Sequence, residues 1–169
     1  MRTELDTSGP ELTQLTQLLD YLRETMLLKA DGLSREQLAQ PLPPSTLTLG
    51  GLINHLALVE DTWFRVRFLG LPELELWASV EWEKDWDWEF HTAAELEPEE
   101  LRTRYREACS RSREVVAGAA DLDRQAAQPR RDGAYPDLRW IMLHMIQETA
   151  RHAGHADMIR ESIDGSVGE

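Results

Sequence analysis

One stretch of the chain limits the fold more than any other. Between about residues 137 and 163, Ile141, Met145, Glu148, His152, His155, Ile159 and Ile163 recur every three or four positions. At helical spacing these seven side chains fall within about 80° of one another. Such a stripe belongs to a helix packed along its whole length. The stripe is apolar at both ends and polar in the middle, so a carboxylate and two imidazoles sit where a core should be. Burying an unpaired carboxylate costs several kcal/mol, so these groups need a partner inside the protein. A metal ion would satisfy all of them together. A Glu–His pair that only hydrogen-bonds across a bundle is the plainer alternative.

Three more stretches carry the same periodicity. The first runs from about Pro10 to Leu28, with Leu12, Leu15, Leu19, Leu22 and Met26 on one face. The second runs from about Thr48 to Leu69, where Leu52, Leu56, Val59, Trp63 and Val66 form the stripe and Gly70 is the expected stop. The third runs from about Pro98 to Ala120, with Leu101, Tyr105, Ala108, Ser112, Val115 and Ala119 sharing a face. Pro136 and Asp137 open the fourth, and Gly165 closes it. A short helix is expected after Ser34, because Ser34 to Gln37 reads as a capping box. Leu occurs 25 times and Ala 16 times, against 11 for Ile and Val together, which favours helix over sheet. The expected fold is therefore all-α, a four-helix bundle with long connections between helices 2 and 3 and helices 3 and 4. With 169 residues, the chain is read as a single domain over 1–169. The connection from Gly70 to Glu97 is too long for a structureless loop. It is expected to hold ordered structure or to cover something, and it contains Trp77, Trp82, Trp86 and Trp88.

Charge and composition exclude several classes. The net charge of −13 argues against a general nucleic-acid surface, which would be basic. No apolar run approaches the roughly 20 residues of a membrane span. The first residues lack the pattern of a signal peptide, and one cysteine, Cys109, cannot make an internal disulfide. A cytoplasmic location is expected.

Glu148 and His152 stand four residues apart, so both reach one ion from adjacent helical turns. His55 is the candidate third ligand. It lies about 60° from the centre of the second helix's stripe, flanked by Leu52 and Val59. Two His and one carboxylate suit Zn(II), Fe(II) or Ni(II) and leave positions open for water or substrate. His155 is read as supporting the site or facing substrate. His144 stands between helix surface and pocket wall. His91 is expected to be solvated, Cys109 to be a small buried residue, and the Trp cluster to be packing.

Two long segments carry a resemblance. Leu47 to Glu60, with Trp63 and Phe64, and Trp140 to Asp157 resemble the second-helix and fourth-helix signatures of the DinB-like superfamily. The nearest branch is one of unknown function. The resemblance covers nearly the whole chain and implies an up-and-down type of four-helix bundle with a metal site between helices. Many members carry three His ligands, the last two as HxxxH, whereas this chain has Glu148 at the first position of that pair. Mycothiol-dependent maleylpyruvate isomerase, a relative, is similar in having a His, Glu, His set. Carried over by position, the ligands are His55, Glu148 and His152. Relatives include transferases and isomerases that use mycothiol or bacillithiol, and a divalent ion fits that chemistry because it lowers a thiol's pKa.

The resemblance implies a metal-dependent enzyme that transfers or isomerises with a low-molecular-weight thiol. Zinc is the first choice of metal, with nickel or iron as alternatives. His155 or Arg151 would orient the substrate. The expected partners are a small thiol and an electrophile, with a homodimer allowed, and neither nucleic acid nor membrane. A metal-dependent hydrolase and a non-catalytic metal-binding or stress-response protein are the alternatives.

Overall fold

The computed structural model describes residues 4–168. Helix α1 spans Glu11–Lys29 and follows Pro10. Helix α2, Arg35–Leu38, is closed by the expected capping box: the Ser34 hydroxyl accepts from Gln37 N, and the Gln37 side chain accepts from Ser34 N. Helix α3, Leu49–Glu60, starts where the Thr48 hydroxyl accepts a hydrogen bond from Gly51 N. It continues without a break into a π-helical segment, Asp61–Phe68, and stops at Gly70 with φ 72°. Two short helices follow, α4 at Glu75–Ala78 and α5 at Trp88–Thr92, with a 3₁₀ turn at Ala93–Glu95. Helix α6 spans Pro98–Ala117 with proline in its first turn, where a missing N–H costs nothing. Helix α7, Leu138–Asp164, is capped by the Asp137 carboxylate on Trp140 N and ended by Gly165 at φ 79°. Among the described residues there is no strand, and no helix is long and apolar enough to cross a membrane.

Contacts between side chains give the direction of each long helix. Arg139, at the start of α7, pairs with Glu11 at the start of α1, and Arg160 near its end donates to Lys29 O, so these two helices run parallel. Arg104 reaches Asn54 and Arg111 reaches Asp61, so α6 runs parallel to α3. Leu52 and Leu56 cluster with Met26 and Ile159, near the ends of α1 and α7, whereas Phe64 and Phe68 cluster with Leu19, Ile141 and Met145, nearer their starts, so α3 and its extension run against both α1 and α7. The order is up, down, down, up: the all-α bundle stands, but the simple up-and-down alternation that the resemblance implied does not, because α6 runs parallel to α3. The reason is the connection between α3 and α6, which returns along the bundle instead of turning at its end. That connection is ordered, as its length required, and carries α4 and α5. Trp77, Trp82 and Trp88 pack edge to face within it, while Trp86 is exposed.

The buried apolar residues form two clusters. One holds Met26, Leu52, Leu56, Leu101, Ala108 and Ile159, and the other holds Leu19, Phe64, Phe68, Val116, Ile141 and Met145. Between them each long helix contributes buried polar groups: Arg23 from α1, Glu60 and Asp61 from α3 and its extension, Ser112 from α6, and Thr149 and His152 from α7. The polar gap in the α7 stripe is thus one edge of a layer that crosses the bundle. Arg23 satisfies Glu60 through two charge-assisted bonds of 2.7 and 2.6 Å. Asp61 accepts from Arg111 and from the Trp77 indole. Removing one partner of a buried pair typically costs about 3–5 kcal/mol, because the other charge is left stranded.

Candidate metal centre

His55, Glu148 and His152 each offer one donor atom, and the three atoms lie within 4.8 Å of one another. His55 points from α3 toward α7 because it follows Leu52 by one turn on the buried side. Glu148 and His152 follow Met145 on the α7 stripe. Glu148 Oε1 lies 3.1 Å from His152 Nε2 and 3.5 Å from His55 Nε2, so the carboxylate sits between two imidazoles. Donors bonded to one ion at about 2.1 Å are separated by roughly 3–3.5 Å, so the two Glu148 separations fit a shared cation. The three side chains keep partial contact with solvent, from 11% for His152 to 24% for Glu148. The cluster is therefore not sealed from solvent.

Behind His55 stands a residue that periodicity did not indicate. Glu89, in α5, places Oε1 2.9 Å from His55 Nδ1. It is buried, and its Oε2 has no hydrogen-bond partner among the described residues. A carboxylate at Nδ1 holds the ring proton there and turns Nε2 toward Glu148, an arrangement that supports metal-ligating histidines elsewhere. Asn54 keeps Glu89 in place: its Nδ2 donates to Glu89 O at 2.7 Å, while its Oδ1 accepts from Arg104. Phe90 stacks on the His55 ring at 4.8 Å. This close approach depends on Gly51, since a Cβ there would meet Phe90 Cδ1 at 2.9 Å. The only sequence signal for Glu89 is its place in the Trp- and acid-rich stretch that the long connection made suspect.

The charges are strongly coupled. Burial pulls the His55 imidazolium down, but hydrogen bonds to Glu148 and Glu89 outweigh it and raise its pKa to about 9. Hydrogen bonds from His152 and His55 hold the Glu148 carboxyl well below the usual carboxylate range. His155 Nδ1 lies 3.4 Å from His152 Nδ1, so His155 stands behind His152. Burial, and then the charges of His152 and Arg151, lower its pKa and favour the neutral ring. Arg151 itself is exposed. His144 packs against Trp63 and Trp140. His91 is exposed beside Asp85, as expected of a solvated residue. Cys109 is buried on α6, 4.0 Å from the Glu60 carboxylate, and burial followed by that charge pushes its thiol up.

Comparison with known proteins gives this geometry a family. A model of the mycothiol S-transferases matches residues 14–165. The chain belongs to that family. The mycothiol S-transferase match spans all four long helices and all three clustered side chains. The fold is also similar to that of a solved structure, a conserved protein from Enterococcus faecalis. The TM-score is 0.72 over 94% of this chain and 100% of that one, at 14% sequence identity. At that identity the likeness shows the fold alone. No curated protein matches the chain.

Proposed function

We propose that this family member is a metal-dependent enzyme that joins a low-molecular-weight thiol, such as mycothiol, to an electrophile or uses it to isomerise one. His55, Glu148 and His152 would hold a divalent ion, zinc before nickel or iron. The observation that carries the reading is the convergence of those three donor atoms between two helices, backed by the buried carboxylate of Glu89. A divalent ion bound there supplies a positive charge that lowers the pKa of a coordinated thiol.

The chain's own residues do the rest. Glu89 fixes the His55 tautomer, and Asn54 and Phe90 hold Glu89 and the ring in register. Glu148 contributes the one negative charge among the ligands, which strengthens cation binding and leaves net positive charge to act on the thiol. His155, neutral at physiological pH and adjacent to His152, is placed to accept or donate a hydrogen bond to substrate, with Arg151 at the outer edge. Cys109 takes no part, because it is buried across the polar layer. The reaction is placed in the cytoplasm.

Incubation of the zinc-loaded protein with mycothiol and an electrophile such as monobromobimane tests the reading. Loss of electrophile that requires both protein and thiol, and that is abolished by His152→Ala, is the expected result. Turnover without thiol would replace transfer by metal-dependent hydrolysis. No turnover with either would leave a non-catalytic metal-binding protein.

A further inference from the structure

One helical turn before Glu148 on α7, the surface changes character. Trp140 is sandwiched: the His144 ring stacks on it at 5.0 Å and 12°, and the Arg130 guanidinium lies over it, 4.5 Å from the ring centre. Trp63, from the π-helical segment, meets both rings at 5.4 and 4.7 Å. Beside this aromatic wall is a cleft of about 380 Å³, lined by Thr62, Trp63, Arg67, Arg130, Arg131 and Asp132.

Most arginines of this chain, whose net charge is −13, are paired with acids; among the described residues Arg67 and Arg131 share with Arg65, Arg124 and Arg151 the lack of such a partner. Arg23, Arg102, Arg104, Arg111, Arg113, Arg139 and Arg160 all pair with carboxylates. In the cleft, Arg67 donates to the Pro129 carbonyl and has no carboxylate partner among the described residues. Arg131 is exposed and likewise has no acidic partner among them. Arg130 pairs with Asp132 at 3.2 Å. Three guanidinium groups against one carboxylate leave a local excess of positive charge. Two of them are held, Arg67 by the loop carbonyl and Arg130 by Trp140, so little side-chain entropy remains to be lost when an anion binds. Guanidinium groups recognise carboxylates through paired N–H donors, and an indole offers a flat apolar face.

The position matters as much as the charge. His144 and Glu148 are one turn apart on the same face of α7, about 6 Å along the axis, and Arg130 covers Trp140 one turn further back. Burial lowers the His144 pKa and keeps it an aromatic, uncharged floor between the two regions. We propose that this cleft binds the carboxylate of the electrophilic substrate, and that the substrate class is a flat, conjugated or aromatic carboxylic acid. The acid lies on Trp63 with its carboxylate between Arg67 and Arg131; Trp140 and Glu148 are two turns apart, about 12 Å along α7, so only an acid extended enough to span that distance brings its far end to His55, Glu148 and His152. This rests on the reading of those three residues as the reaction centre.

Binding can be tested without that reading. Metal-free protein, kept in chelator without thiol, is titrated with 2-naphthoate and with 2-naphthamide, following the quenching of tryptophan fluorescence. The acid is expected to bind saturably and at least about tenfold more tightly than the amide. Arg131→Gln and Arg67→Gln should each cut its affinity severalfold, while Arg106→Gln, exposed and distant on α6, should not. Arg131 is exposed, so its variant is expected to fold. Equal affinity for acid and amide, indifference to Arg131→Gln, or no saturable binding would overturn the proposal. Preserved binding with no thiol-dependent turnover would instead overturn the proposed reaction and leave the anion site standing.

Discussion

Glu89 Oε1 and His55 Nδ1 lie 2.9 Å apart, although 34 residues separate them in the chain. Their contact joins the bundle to the segment that crosses it. It leads to the first prediction: Glu89→Ala should weaken zinc binding by about 10- to 100-fold, the usual effect of losing a carboxylate behind a ligating histidine. Competition against a chromophoric chelator measures it. Unchanged zinc affinity in a folded variant would show that Glu89 does not support the site.

Glu148→Gln separates a metal site from a hydrogen-bonded Glu–His cluster. The amide keeps nearly the same volume, so packing should suffer little, but it removes the only negative charge among the proposed ligands. The wild type should lose thermal stability when a chelator is added, and the variant should be nearly insensitive. A wild type indifferent to chelator, with a variant destabilised in its presence and absence alike, would favour the metal-free cluster.

The metal-free protein should also show a pH signature. His55 has an ordinary value of 6.5 and rises to about 9 in the fold. Its contribution to stability is therefore fully present below pH 6.5 and is lost as pH rises through about 9. Glu148 is held below its ordinary 4.5, so its contribution is present above that pH and fades as the solution becomes more acid. In chelator, the wild-type melting temperature should fall between pH 6.5 and 9 more steeply than that of His55→Asn. Parallel profiles would contradict the coupling.

Cys109 should be chemically silent in the folded state. Burial and the nearby Glu60 charge both disfavour its thiolate. A disulfide reagent at pH 8 should label it slowly in native protein and rapidly in denaturant. Cys109→Ser should retain thiol-dependent activity. Fast native labelling would contradict the burial argument.

Much of this was legible in the sequence because helices write their contacts locally. The spacing of Leu52, Leu56 and Val59 marks the inner face of α3, and the break at Glu148 and His152 marks where a polar partner must lie. Both depend only on residues three or four apart. The helix directions are not local. They follow from the path of residues 70–97, where tryptophans and acids alternate without a helical period. Glu89 is hidden for the same reason: Asp85, Asp87 and Glu89 look alike in sequence, and only the Asn54 contact and the Gly51 opening distinguish the last. The π-helical run after Glu60 has no residue pattern that announces it. The third long helix, α6, stops at Ala117 instead of Ala120, with Gly118 as its C-cap.

Had α6 run antiparallel to α3, a tight turn could have joined them at one end, and nothing would need to cross the flank of the bundle. Because they are parallel, the chain has to travel back roughly 30 Å, the length of a 20-residue helix, before α6 can begin. That return journey lays α5 over His55. The direction of a single helix thus decides whether the centre has a roof. Shortening the crossover by a few residues would spare all four long helices and still unroof it.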